Sequence, residues 1–375
     1  MIVKNNHIMR KSKSESQDKS PKDKSPKDES PKDESPKDKS PAESPDESPD
    51  DKLPTALANL GNTCWLNSAL QSIFRISELK DYFLSDKYKS DINKTPEAEF
   101  VEAFASLFKL LLNGHTAIRP KTIHRLFSKF CDSFSGMGQH DSSEAIVKIL
   151  EILHTGLSYK ARIELQDGPS DQLKIQSIVA FKASHEKLYS FIVQLFFGQL
   201  ISRTTCGSCN SISIKFDPFN LLSIPINDQT DKLVDCINLY VKEEQMDDQN
   251  MLFCKKCDSL CLGKIQKRVY RRPNILLLSF NRFNDQGRKI NKEINFPFKS
   301  KFPSLFENKS DKTVTYELFA VVNHSGSLLG GHYWAYCLEE NNIWYEKNDL
   351  TVVPIPDRNE IVSSSAYCLG YRISP

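Results

Sequence analysis

The sequence has almost no surplus of charge of either sign: 50 lysines and arginines stand against 48 aspartates and glutamates over 375 residues, a formal net charge of +2. Averaged over a lopsided distribution, that balance argues neither for nor against a nucleic-acid partner. Long hydrophobic runs are also missing. The longest, near Phe191 to Ile201, falls short of the roughly 20 apolar residues a spanning helix needs, so no membrane association is expected. The opening residues MIVKNNHIMRKSK contain no apolar stretch of the secretory kind, and an intracellular protein, cytoplasmic or nuclear or both, is expected. A third scarcity is regional. From Lys19 to about Asp51 the chain cycles through SPKDK, SPKDE and SPAE units with almost no aliphatic or aromatic side chains. Such a segment cannot offset the roughly 1–2 kcal/mol per residue of backbone entropy that folding removes, and its prolines interrupt any helix. Residues 1–53 are therefore expected to be a disordered tail, a solvated spacer whose seven Ser-Pro dipeptides are candidate acceptors for proline-directed phosphorylation.

From Leu53-Pro54 onward the composition changes, and residues 54–375 read as one folded unit with enough apolar residues for a large core. Three- and four-residue apolar spacing predicts helices over Cys64 to Phe74, Glu97 to Leu112 and Ser142 to Leu153. Short aromatic or β-branched runs bounded by turn residues predict strands at Ile275 to Phe280, Tyr316 to Val322, His332 to Leu338 and Asn342 to Tyr345. Helices first and sheet afterwards imply an α+β fold.

Ten cysteines are present, and their placement separates them. Cys64 falls where the polar loop Ala58-Asn-Leu-Gly-Asn-Thr turns into a helix, and the free N–H groups there favour a thiolate and can receive an oxyanion. A thiol nucleophile needs an imidazole partner. Of eight histidines, His332 has the most suggestive context, with Gly330-Gly331 before it for close backbone approach and a strand after it for rigidity, whereas His324 reads as a polar residue satisfied at a strand end. Cys206-Gly-Ser-Cys209 and Cys254-Lys-Lys-Cys257 form two C-x-x-C knuckles, which read as a closed, structural four-thiolate Zn²⁺ site. Cys261 is a spare ligand at most, and Cys131, Cys236, Cys337 and Cys368 read as core residues. Asp141 with Glu144 three residues on reads as the start of a helix with a capping pair.

The stretch from Ala58 to Gln71 resembles the cysteine box of the ubiquitin-specific proteases, and Tyr316 to Cys337 resembles that family's histidine box. The resemblance runs from about Pro54 to the end. It implies a papain-like cysteine protease fold with a helical thumb, a β-sheet palm and zinc-ribbon fingers over roughly 190–280. It also implies that Cys64 is the nucleophile, His332 the base, Asn348 the group that orients the imidazole with Asp349 supporting from the next position, and Asn59 an oxyanion donor. Gln139, Asp141 and Glu144, in a segment similar to the family's Gln-Gln-Asp-x-x-Glu helix start, would line the channel for the ubiquitin tail, Leu-Arg-Leu-Arg-Gly-Gly, where acidic groups pair with arginine. Three aromatic positions differ from the family's usual residues: Trp65, Ala145 and Lys347. The expected protein is thus a monomeric deubiquitinase acting on ubiquitin and ubiquitinated proteins with no nucleic-acid partner. The alternatives are a catalytically silent ubiquitin-binding scaffold and a zinc-ribbon nucleic-acid binder, the latter opposed by the lack of a basic, aromatic-interleaved stripe.

Overall fold

A computed structural model of the chain describes residues 2–5, 53–112, 116–136, 138–164, 171–308, 311–327 and 330–374. The Ser-Pro units and their phosphorylation lie outside the described residues. The expected helices form as Cys64–Ile73, Ala98–Leu112 and Ser142–Gly156, and Lys121–Phe130 packs beside them. Their apolar stripes meet in a core rich in rings, in which Trp65, Phe74, Phe83, Phe104, Phe108 and Phe127 are essentially sealed from solvent. Phe74 and Phe108 meet edge to face at 4.6 Å between centroids. Such a contact contributes about 0.5–1.5 kcal/mol beyond area burial, and truncating one of these rings to alanine costs about 3–5 kcal/mol. Buried Ser68 and Ser142 share a 3.0 Å hydrogen bond that ties the Cys64 helix to the Ser142 helix.

An eight-stranded sheet covers one side of this core. From one edge its order is Thr351–Ile355, Trp344–Asn348, Gly331–Leu338, Tyr316–Gly326, Ala366–Ile373, Ile275–Asn281 and Leu222–Pro225, with Lys299–Ser300 pairing off Tyr316–Gly326. Only Leu222–Pro225 and Ile275–Asn281 run parallel. The unbroken apolar run at Ile275 follows from burial on both faces: Ile275 and Leu277 enter the helical core, and Leu276 and Leu278 enter a second core on the opposite face. The strand Gly331–Leu338 packs directly on the Cys64 helix, with the Cys337 thiol 3.6 Å from the Gln71 carbonyl. The architecture is α+β, as expected. A separate sheet of Ile212–Phe219, Gly198–Cys206, Gly263–Arg271 and Glu244–Gln245 carries the two cysteine knuckles together with the hairpin Leu252–Cys254 and Ser259–Cys261.

One element departs from the expectation for residues 1–53. Ile2–Asn5 pairs antiparallel with Ala161–Glu164, and Val3 packs on a small core of Ala161, Ile163, Phe181, Tyr189 and Val193. Ile2 and Val3 lie well before the low-complexity units and are β-branched residues that can pair with an open strand edge. Among the described residues no helix is long and apolar enough to cross a membrane.

Candidate active site and metal centre

Cys64 is the first residue of its helix, and the loop before it is built around Asn59. The Asn59 side-chain oxygen accepts hydrogen bonds from the backbone N–H groups of Gly61 and Thr63, each at 3.0 Å. That closes a tight turn in which Gly61 and Asn62 both have positive φ, residue types that tolerate it. The Asn59 amide nitrogen donates to Asp349 Oδ2 at 2.9 Å, and Asn67, one turn into the helix, donates to Asp349 Oδ1 at 2.8 Å. One carboxylate thus grips both the turn and the helix it leads into. An amide nitrogen carries two donors, so the bond to Asp349 does not exhaust Asn59.

The backbone of Tyr333, the residue after His332, hydrogen-bonds the Cys64 thiol. His332 Nε2 lies 2.6 Å from Asn348 Oδ1, and the Asn348 nitrogen donates to Glu346 Oε1 at 3.2 Å. The second bond fixes which end of the amide faces the ring. With an oxygen facing it, Nε2 carries the ring hydrogen and Nδ1 is the basic nitrogen. Gly331 cannot carry a side chain, because a Cβ there would overlap the His324 ring and the Ser325 carbonyl. His324 itself is buried beside Tyr333, and burial with Lys289 nearby lowers its pKa to about 4, which keeps it neutral.

Cys64 differs from the expectation of an easily formed thiolate. Burial pushes its thiol above the ordinary value, Asp349 pushes the same way, and the backbone N–H groups of Tyr333, Trp65 and Cys64 itself only partly offset this. The helix start is there, but Cys64 is 2% exposed, and lost hydration outweighs the dipole. Alkylation of Cys64 by iodoacetamide, followed by mass spectrometry of its peptide, should therefore keep accelerating beyond pH about 8.5, the ordinary thiol value. A rate already level below about pH 7 would instead mark a preformed thiolate.

Gln139 accepts a hydrogen bond from the Gly331 backbone, so this side chain braces the loop before His332. Asp141 Oδ1 caps the Ser142 helix at the N–H groups of Ser143, 2.7 Å, and Glu144, 3.0 Å, while its Oδ2 accepts from Tyr367. Glu144 is exposed and, with Asp141, lines an open cleft of about 450 Å³ that Ser223, Asn281 and Tyr367 also border. Ala145 is sealed inside the helical core.

Lys347 is 4% exposed, with its ammonium 3.1 Å from Gln71 Oε1 and 2.6 Å from Glu339 Oε1; Arg75 pairs with the same Glu339. It joins the strand that carries Asn348 to the helix that begins at Cys64. Burial and the Arg75 charge bring its pKa down to about 7. Between that value and the ordinary lysine value of about 10.4 the unfolded chain binds the extra proton, so this group makes stability fall as pH drops through that window and level off below it. Lys347→Met should flatten the slope of urea-unfolding free energy against pH there by up to about 1.4 kcal/mol per pH unit; an unchanged slope would contradict the assignment.

The four sulfurs of Cys206, Cys209, Cys254 and Cys257 lie within 4.8 Å of one another, with contacts of 3.9 Å between Cys206 and Cys257 and 3.6 Å between Cys209 and Cys254. A zinc ion with Zn–S bonds of about 2.3 Å requires S···S edges of about 3.8 Å. The donors fit. Each knuckle closes with a left-handed residue after its second cysteine, Asn210 and Asp258.

Sequence reasoning missed two polar supports. Asn67 lies inside the Ala58 to Gln71 stretch, which gives no hint that it reaches Asp349. The buried contact of Lys347 with Gln71 left no local signal.

A family profile described as ubiquitin carboxyl-terminal hydrolase matches residues 55–371. The chain is 32% identical over 336 residues to rat ubiquitin carboxyl-terminal hydrolase 2 and 33% identical over 350 residues to human ubiquitin carboxyl-terminal hydrolase 21. Those alignments cover 85% and 84% of this chain but only 54% and 61% of the relatives' own lengths. Among solved structures, the SAGA DUB module of Ubp8, Sgf11, Sus1 and Sgf73 bound to monoubiquitin matches with a TM-score of 0.68 at 24% identity, covering 85% of this chain and 69% of that one. At that identity the match speaks for the fold alone.

Proposed function

Since the chain belongs to the ubiquitin carboxyl-terminal hydrolase family, we propose that it is a cysteine-dependent deubiquitinase cleaving the isopeptide or peptide bond after the C-terminal glycine of ubiquitin. The observation that carries the reading is that Asn348 Oδ1 faces His332 Nε2 at 2.6 Å, the pairing that leaves Nδ1 basic, on the strand whose next residue after His332, Tyr333, lowers the pKa of the Cys64 thiol through its backbone N–H. In this mechanism Nδ1 of His332 takes the Cys64 proton as the sulfur attacks the glycine carbonyl. The Asn59 amide and the N–H groups at the helix start receive the oxyanion. The imidazolium then protonates the departing amine, and a water activated by the same ring hydrolyses the thioester. Burial holds the resting Cys64 thiol above its ordinary pKa, so His332 has to take that proton for the sulfur to attack.

Residues 54–375 would form the catalytic domain. Its fingers, roughly 190–280, would grip the body of ubiquitin, and Gln139, Asp141 and Glu144 would shape the channel for the tail. Gln139 and Asp141 would act through the backbone they brace, and the exposed Glu144 carboxylate would meet the tail's arginines. Cys206, Cys209, Cys254 and Cys257 would hold a structural Zn²⁺, which supplies a rigid cross-link and no open coordination position. All ten cysteines are free thiols, in keeping with a reducing cytoplasm or nucleus, where the chain would act as a monomer.

The test is incubation of wild type and Cys64→Ala with ubiquitin bearing a C-terminal electrophile. An adduct with wild type alone is expected. Ubiquitin binding without an adduct would instead make the chain a scaffold, and indifference to ubiquitin would remove both readings.

A further inference from the structure

Glu346 and Asn348 stand two positions apart on the strand Trp344–Asn348, so their side chains leave the same face of the sheet, while Lys347 between them reaches Gln71 of the Cys64 helix. His332 comes to that face from the neighbouring strand and meets Asn348 Oδ1 at 2.6 Å. Glu346 Oε1 accepts from the Asn348 nitrogen at 3.2 Å, and among the described residues no lysine or arginine pairs with this carboxylate. Its cross-strand neighbours are Tyr336 and Val353, neither of which carries a positive charge. A half-buried carboxylate without a cation is thus turned toward one amide, and that amide holds Nε2 of His332.

The two ends of an amide are not equivalent. Its oxygen accepts and its nitrogen donates, whereas a carboxylate only accepts. With Glu346 in place a single orientation satisfies both bonds, nitrogen to Glu346 and oxygen to His332. Turned the other way, two oxygens would face each other at Glu346. The amide N–H would then point at Nε2 and select the tautomer with its hydrogen on Nδ1, leaving no basic nitrogen for the Cys64 proton.

We propose that Glu346 is a positioning residue for this reaction: it holds the Asn348 amide in the one orientation that keeps Nδ1 of His332 free to take a proton. It touches no substrate and acts only through Asn348. An acceptor is therefore required at position 346 as long as position 348 carries an amide. A carboxylate at position 348 would present oxygen to His332 whichever way it turned, and the requirement at 346 would reverse to a donor, because two adjacent carboxylates repel.

The inference rests on the reading of the chain as a deubiquitinase with His332 as its base, and the experiment separates the two. kcat and KM are measured on a ubiquitin–lysine isopeptide for wild type, Glu346→Lys, Asn348→Asp and the double variant. Glu346→Lys sets a donor beside the amide and turns it round, so kcat should fall about 10- to 100-fold with KM little changed. Asn348→Asp alone sets two carboxylates together and should lose about tenfold. In the double variant a lysine faces a carboxylate, and kcat should stand about tenfold above either single variant. Nitrogen NMR of the His332 ring should place the hydrogen on Nε2 in wild type and on Nδ1 in Glu346→Lys. Losses that multiply in the double variant, or a hydrogen that stays on Nε2 in Glu346→Lys, would overturn the positioning role alone, whereas wild type without turnover would overturn both readings. If Glu346→Lys does not accumulate as soluble protein, Glu346→Ala decides. It should lower kcat in the wild-type background and raise it in the Asn348→Asp background, where it removes a repelling charge; a loss in both would overturn the proposal.

Discussion

Replacing His332 with alanine should lower kcat/KM for a ubiquitin–lysine isopeptide by about 10⁴-fold while leaving ubiquitin affinity nearly unchanged. The size follows from two tasks that fall to one ring. The Cys64 thiol rests protonated because burial holds it above the ordinary thiol range, so without a base the attacking thiolate is scarce near neutral pH. The departing lysine amine is also a poor leaving group until it is protonated. An aryl-amide reporter at the ubiquitin C-terminus leaves more easily, so the same variant should lose less on it than on the isopeptide. Asn348→Ala removes only the 2.6 Å partner that selects the tautomer, and its loss should be smaller, about 10- to 100-fold. Steady-state rates on both substrates, beside an affinity measurement, separate these effects. A His332→Ala enzyme within tenfold of wild type on the isopeptide would remove this residue from the chemistry.

How far the sequence foretold these arrangements depended on how local each one is. The Cys64 box, the glycines before His332 and the two C-x-x-C knuckles each lie within a few residues of one another, and short-range geometry fixes what such spacings can do. Ile275–Asn281 was legible as a strand from its short apolar run, and packing on both faces of the sheet explains that run. The supports of the site were not legible. Asp349 meets Asn59 across 290 positions and Asn67 across 282, and Lys347 meets Gln71 across 276, so only the folded sheet, laid along the Cys64 helix, joins them. The thiol's acidity was misjudged for a related reason: a helix start is visible in a sequence, but the burial that overrides it comes from the strand Gly331–Leu338 packing over that start. Asn59 illustrates both limits, since its oxygen makes the turn that its sequence context suggests while its nitrogen is held by a residue at the other end of the domain.

Asp349→Asn should be almost as damaging as Asp349→Ala, although it preserves the size and shape of the side chain. The native carboxylate accepts from two amide donors at once, Asn59 at one oxygen and Asn67 at the other. An asparagine amide has one accepting oxygen, so its own NH₂ group must face one of those donors, and a buried donor set against a donor costs about 1–3 kcal/mol. Whichever way the amide turns, either the Asn59 loop or the Cys64 helix loses its anchor. If Asn59 moves, the oxyanion loses a donor, for which a fall in kcat of about 10²- to 10³-fold is the expected scale. The same substitution removes the negative charge that helps hold the Cys64 thiol up, so the thiol should become more acidic. Two measurements must then move in opposite directions: the pH profile for alkylation of Cys64 shifts to lower pH while turnover collapses. Turnover that rises along with thiol acidity would show that Asp349 acts on the sulfur through its charge alone and that its grip on Asn59 and Asn67 is incidental to catalysis.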